Sequence, residues 1–218
     1  LLPQTIYSER ARNLWLAADG IGFYGKVPAG LMGGFDYDLF AGSSNDDPNS
    51  VMWKQYAASA GNEFAMGMNA MGLTAVVNSA KTTSINWRMN WGGSLYWNTP
   101  LAGLRLGASY SRRIFDVDWE VDLSVTMPGV PMPIDMNVPI SMTSEGGDRA
   151  WLSGEFAWKN LTLQGEYIRR KDDVTITVSQ PTGDQVGVDT QESESFFGLI
   201  SYRFTPWLVL SSYYTEYY

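Results

Sequence analysis

The chain has 218 residues, with nine Trp, twelve Tyr, nine Phe and 22 Gly but no Cys and no His. Charged residues make up 17%, against roughly 25% in an ordinary soluble domain, while aromatics reach 14%, so the surface suits lipid better than water. The missing His and Cys exclude a His-based triad, a thiol nucleophile, a structural zinc site, haem attachment and disulfides, and a net charge of −8 speaks against a nucleic-acid partner.

Residues 1–18 read as the tail of an extracellular loop. Apolar residues then recur at every second position, the period of a strand. Ile21, Phe23, Gly25 and Val27 form one face of a strand over 19–27. Phe35, Tyr37, Leu39 and Ala41 form one face of a second over 34–42, with Asp36 and Asp38 opposite. Pro28-Ala29-Gly30 is the turn between them. The long connection 42–81 holds the polar cluster Ser43–Asn49 and an amphipathic, Ala- and Met-rich stretch, Val51–Ala70, read as a short helix. Folded inward, this connection is the candidate constriction of a pore.

The clearest alternation follows, with Ile85, Trp87, Met89, Trp91, Gly93, Leu95 and Trp97 on one face and Asn86, Arg88, Asn90 and Ser94 on the other. After a turn at Asn98-Thr99-Pro100, a strand from Leu101 to Val125 sets Leu104, Leu106, Ala108 and Tyr110 against Arg105, Ser109, Ser111 and Arg113. Val117, Trp119, Val121 and Leu123 alternate in the opposite phase, which predicts a bulge near Arg112–Phe115. Residues 127–133 form a hairpin tip, and Ile134, Met136, Val138, Ile140 and Met142 lead back. Beyond a polar interruption, Ser144–Arg149, the strand resumes with Leu152, Gly154, Phe156 and Trp158. Leu161, Leu163, Gly165 and Tyr167 then alternate with Thr162, Gln164 and Glu166. Val174, Ile176 and Val178 lead to a tip at Pro181–Asp184, Phe196 to Phe204 lead back, and Trp207–Tyr218 is the last strand. The expectation is an all-β chain of about eight antiparallel strands forming one domain over 1–218.

An antiparallel sandwich produces the same alternation. Two features favour a transmembrane β-barrel, with apolar residues outward and polar ones inward. Arg and Glu stand in mid-strand on the polar face, and the apolar face mixes large aromatics with Gly. No helix long and apolar enough to span is expected, since Phe64–Ala80 is too short and too polar. No signal peptide opens the chain. Trp97, Trp158 and Trp207 each flank a tight turn, which reads as one aromatic girdle at the membrane interface. The stretches between those turns exceed the roughly 20 residues that two spanning strands take, so long extracellular loops are expected opposite short periplasmic turns. On that orientation both chain ends lie outside, as expected of an internal fragment of a larger barrel. A complete eight-stranded barrel is the competing reading.

Enzymatic motifs are lacking, and neither a catalytic residue, a cofactor site nor a metal site is assigned. Asp46-Asp47 and Asp172-Asp173 are conceivable calcium ligands, but solvated loop ends account for them better. The candidate pore-lining residues are Arg88, Arg105 and Arg113 with Glu155, Glu166, Asp36 and Asp38. Facing charges in a water-filled constriction orient polar solutes and set ion preference. Pairing that merely stiffens the wall is the bland alternative.

Two segments carry a family resemblance. The first runs Tyr7-Ser8-Glu9-Arg10, Asp19-Gly20-Ile21-Gly22-Phe23-Tyr24-Gly25, then Phe35-Asp36-Tyr37-Asp38-Leu39-Phe40-Ala41-Gly42. The second runs Ser201-Tyr202-Arg203-Phe204-Thr205-Pro206-Trp207, then Tyr213-Tyr214-Thr215-Glu216-Tyr217-Tyr218. Their style resembles that of large Gram-negative outer-membrane porins. The resemblance implies a barrel of roughly 16–18 strands with an aqueous channel. It also implies an outer-membrane, often homotrimeric protein in contact with lipid and lipopolysaccharide, passing small hydrophilic solutes or ions passively. The alternative from another class is a structural barrel, a sheath or scaffold for a partner in electron transfer or secretion.

Overall fold

Strict alternation over short segments is realised as strands throughout the computed structural model, which describes residues 19–130, 132–180 and 183–218. The expected loop tail at 1–18, the Tyr7–Arg10 segment and parts of both hairpin tips lie outside the described residues. In chain order come β1 (Asp19–Pro28), a single 3-10 turn (Gly30–Met32), β2 (Gly34–Ser43), α1 (Val51–Ala70) and β3 (Thr74–Asn98). Then follow β4 (Leu104–Thr126), β5 (Ile134–Trp158), β6 (Leu161–Val178), β7 (Gln185–Thr205) and β8 (Leu208–Tyr217). All eight strands form one antiparallel sheet in sequence order, and the sheet is not closed.

The four short connections, β1–β2, β3–β4, β5–β6 and β7–β8, share one end of the sheet, and the longer connections share the other. Each tight turn has a local cause. Lys159 takes a left-handed conformation (φ 52) in the two-residue turn between β5 and β6, and Gly33 (φ 88) and Gly103 (φ 86) do so in two others. A Cβ on Gly103 would run into the carbonyl oxygen of Ala157. Gly103→Ala therefore combines a left-handed penalty with a backbone clash, and a loss of at least about 1 kcal/mol is expected, read as a lower urea midpoint.

The connection after β2 is shorter than its expected range, because residues 74–81 already belong to β3. Extended β3 residues pair with β4 from Thr74 onward. Within the connection, Ser50 caps α1 by accepting a hydrogen bond from the Trp53 amide at 3.5 Å. Gly72, with φ 85, ends the helix in the left-handed conformation that favours glycine. The buried side of α1 is Met52, Trp53, Ala57, Gly61 and Ala65, a stripe at helical spacing.

That stripe lies on one face of the sheet, here called the helix face, and the other is the open face. Gly61 marks the closest approach, since a Cβ there would stand 3.0 Å from Val121 Cγ1. Beneath α1, Val117, Trp119, Val121, Leu123 and Val125 of β4 join Trp87 of β3 and Val138 and Ile140 of β5 in the main core. Apart from Trp87, at mid-strand, these lie in the halves of the strands remote from the short turns.

An irregularity does fall at the expected bulge, between Arg113 and Phe115 in the pairing of β4 with β5, where Ile114 is unpaired. With β3, the residues of β4 pair consecutively from Arg105 to Thr126, and the extra residues sit in its neighbours. In β3 the unpaired positions are Asn78, Thr83 and Arg88, and in β5 the irregularity spans Glu145 and Gly146. The phase change in β4 thus has a different physical cause. Near the short turns its apolar side chains point to the open face, and beyond Arg113 they point to the helix face.

Candidate pore-lining face

The register groups side chains from neighbouring strands into rows. Near the short turns the open face carries Phe23, Leu39, Gly93, Tyr110, Ala150 and their neighbours, an apolar band continued by Leu106 and Leu152. These side chains are exposed, Phe23 at 63% and Leu152 at 59%. The edge strands β1 and β8 are ten residues each, the length that crosses a bilayer when tilted.

One row above this band, Arg112, Asp148, Lys171 and Glu192 from four successive strands are register partners of alternating sign. Arg112 pairs with Asp148 at 3.7 Å, Arg169 with Glu192 at 3.3 Å, and the Tyr110 hydroxyl donates to Asp148. At the opposite margin stand the three tryptophans. Trp97 stacks on Phe35 (6.2 Å between centroids, 17° between planes) and its indole N–H donates to Met32 O at 2.8 Å. Trp158 and Trp207 are exposed, and the Lys159 ammonium lies 4.8 Å from the Trp158 ring.

Beyond the charged row the open face is hydrophilic. Asp116, Asp118 and Asp122 of β4 accept from both sides. Arg88 and Thr143 reach Asp116, Ser84 and Ser141 reach Asp118, and Ser79 and Asn137 reach Asp122, all within 2.6–2.9 Å. Lys81 pairs with Glu120 at 2.8 Å. The donated bonds from Ser79 and Asn137 hold the Asp122 carboxyl below the ordinary carboxylate range. A folded-state value below the unfolded one, about 3.9, gives stability that is present above that pH. It is lost as pH falls through the folded value. Asp122→Asn is expected to flatten the acid limb of a stability profile read by urea midpoints between about pH 2 and 6.

The helix face within the band is mixed, with polar side chains around a small apolar cluster of Ile168, Phe197, Trp151 and Leu199, and it gathers six of the seven candidate pore residues. Asp36 accepts from Asn98 Nδ2 at 3.0 Å and Arg105 Nη2 at 3.2 Å, with Lys26 Nζ at 3.8 Å. The Arg105 guanidinium also lies 4.2 Å from the centre of the Tyr96 ring. Glu155 is the register partner of Arg105, and Glu166 stands one row further on. Tyr96, Arg105, Glu155, Gln164, Glu166 and Phe197 line a cleft of about 150 Å³ there. Asp38 is on the same face and exposed, and Arg113 is on it and buried.

Arg88 departs from this set. As a bulged residue of β3 it leaves the alternation, and its guanidinium meets Asp116 at 2.9 Å on the open face. Two arginines that the sequence reading passed over join Arg113 instead. Arg149 and Arg170 are cross-strand partners on the helix face, and Asp172 binds Arg149 through two bonds of 2.8 and 2.9 Å. Continuing the period of two back from Glu155 and forward from Glu166 reaches both. The paired aspartates considered for calcium have protein partners. Asp46 accepts from Trp87 Nε1 at 3.1 Å, Asp47 from the Asn49 amide at 2.8 Å, and Asp173 from Thr190 at 2.8 Å. No protein-family model matches the chain, and no curated protein is similar to it.

Proposed function

We propose that the sheet is wall of a transmembrane β-barrel in a Gram-negative outer membrane, and that its helix face lines a channel for passive diffusion of small hydrophilic solutes or ions. One observation carries this reading: both faces exchange character at the same level of the sheet. Between the short turns and the Arg112 row, the open face carries aromatics and aliphatics, while Asp, Glu, Arg and Ser gather on the helix face around one small apolar cluster, Trp151, Ile168, Phe197 and Leu199. Above that row, a conventional core lies under α1 and the open face becomes hydrophilic. A sandwich in water gains nothing from leaving its apolar face outward over one strand segment and inward over the next. A bilayer ending at the Arg112 row explains both halves.

The sheet edges support a barrel wider than eight strands. Unpaired backbone N–H and C=O groups at an edge are costly in hydrocarbon. Among the described residues nothing pairs with the outer edges of β1 and β8. The two run in opposite directions, so an even number of further strands, or none, joins them antiparallel. Eight strands enclose only enough space for side chains, whereas α1 rests on the helix face and needs room for a helix about 10 Å across. A barrel of roughly 16–18 strands provides it.

The test is reconstitution. The protein is expected to leave the membrane fraction only with detergent and to give discrete openings in planar bilayers. Release without detergent refutes the barrel. Membrane retention with silent bilayers and a co-purifying protein favours the scaffold alternative.

A further inference from the structure

Arg105 and Glu155 are register partners on β4 and β5, both on the helix face, and opposite charges so placed ordinarily attract one another across the strands. Among the described residues these two form no ion pair with each other. Arg105 turns the other way, past β3, to Asp36 of β2, which its Nη2 reaches at 3.2 Å. Its guanidinium lies over the Tyr96 ring, 4.2 Å from the centre. Both partners are themselves held. Tyr96 is the register partner of Gly107, where a Cβ would stand 2.6 Å from the ring carbons Cδ1 and Cε1, so the missing side chain lets the ring lie over β4. Asp36 also accepts from the Asn98 amide at 3.0 Å. The cation is drawn away from the anion by partners on other strands, and both charges line the cleft of about 150 Å³.

The lining of the cleft follows strand order. Tyr96 of β3 and Arg105 of β4 form one wall, Glu155 stands next on β5, Gln164 and Glu166 follow on β6, and Phe197 of β7 closes the far side. Phe197, 8% exposed, belongs to the apolar cluster of Ile168, Trp151 and Leu199. Guanidinium, carboxylate and apolar wall therefore come in sequence on strands about 4.8 Å apart. We propose that this cleft binds a small α-amino acid with an apolar side chain. The amino acid's carboxylate meets the Arg105 guanidinium, whose bond to Asp36 engages Nη2 and which carries further donors. Its ammonium group meets Glu155, and its side chain lies toward Phe197. A zwitterion supplies each separated charge with the opposite partner that the register leaves out of reach, through charge-assisted hydrogen bonds. The volume is well below the roughly 300–1,000 Å³ of pockets for drug-sized ligands, which suits a single amino acid better than a peptide.

This inference goes beyond the channel reading, because binding to the cleft is measured without a current. Equilibrium dialysis of the detergent-solubilised protein against radiolabelled leucine is expected to show saturable binding. N-acetyl-leucine, which lacks the ammonium charge, and leucinamide, which lacks the carboxylate, compete at least about tenfold more weakly, as the loss of a hydrogen bond between charged groups requires. Glu155→Gln weakens leucine binding by a similar factor and leaves the fold intact, since Glu155 is exposed and has no hydrogen bond or ion pair among the described residues. Arg112→Gln, changed on the open face, binds leucine as the unmodified protein does. Absence of saturable leucine binding, competition by both derivatives as strong as by leucine itself, or undiminished binding in Glu155→Gln overturns the amino-acid site, whatever bilayer recordings give. Selective leucine binding by a protein that is silent in bilayers supports the cleft and refutes the channel.

Discussion

Leu152→Arg is expected to lower the stability of the protein in phospholipid vesicles by about 2–4 kcal/mol, the cost of a cation at mid-depth on the lipid face of a barrel. Leu152 lies on β5 between the Trp97 margin and the Arg112 row, is 59% exposed, and has Ala108 and Tyr167 as register partners. In water a side chain so exposed tolerates Arg within about 0.5 kcal/mol, so the magnitude itself distinguishes lipid from solvent. Ser109, beside the row of Leu152 on β4 and facing the other way, supplies the comparison. Ser109→Arg places the same charge on the polar helix face beside Ser94, where water reaches it, and is expected to change stability far less. Urea titrations of tryptophan fluorescence in vesicles measure both. Equal, small effects would mean that the open face does not meet lipid.

The contrast between these neighbours explains which parts of the fold are legible in the sequence. β1 and β2 were expected at 19–27 and 34–42 and are found at Asp19–Pro28 and Gly34–Ser43. Each lies wholly within one environment, so a single alternation defines it. β4 crosses from one environment to another. Its apolar residues move from even to odd positions between Tyr110 and Val117, and an inserted residue would shift the phase in the same way. Only the pairing with β3 and β5 decides between these causes, and it assigns the extra residues to those neighbours. Arg88 was misplaced for the same reason, since a bulge in β3 depends on fit to β4 and not on the residues beside it.

Arg149 was hidden by a related effect. At the level of the charged row both faces are polar, so Ser144–Arg149 carries no alternation although it lies within one strand, β5. The helix, by contrast, was identified at Val51–Ala70 from composition and matches α1. Its seat required coordinates, because the helix packs on side chains from β3 and β4 that follow it in sequence. Six candidate pore residues share a face because alternation holds from the short turns to the charged row. Their row order, and the clustering of Arg113 with Arg149 and Arg170, follow from strand register.

Trp53→Ala should cost about 3–5 kcal/mol, the range for deleting a buried aromatic side chain, and should raise single-channel conductance. Trp53 is 2% exposed and packs edge-on against Phe115 at 6.1 Å and against Tyr56 at 5.6 Å, while its carbonyl accepts from the Thr82 hydroxyl at 3.1 Å. It stands at the start of α1, next to the segment whose Asp46 accepts from Trp87 of β3. On the proposed channel reading, truncation there loosens the helix and its preceding loop from the sheet, and a wider path with a larger current is expected. Gly61→Leu approaches the same outcome from the other direction. With a Cβ already 3.0 Å from Val121 Cγ1, the larger side chain has no space, and overpacking of this kind costs about 1–3 kcal/mol. Both variants retain every candidate pore charge, so ion preference should persist while conductance rises. Lower stability in both with unchanged conductance would mean that α1 buttresses the extramembrane strands without narrowing the path.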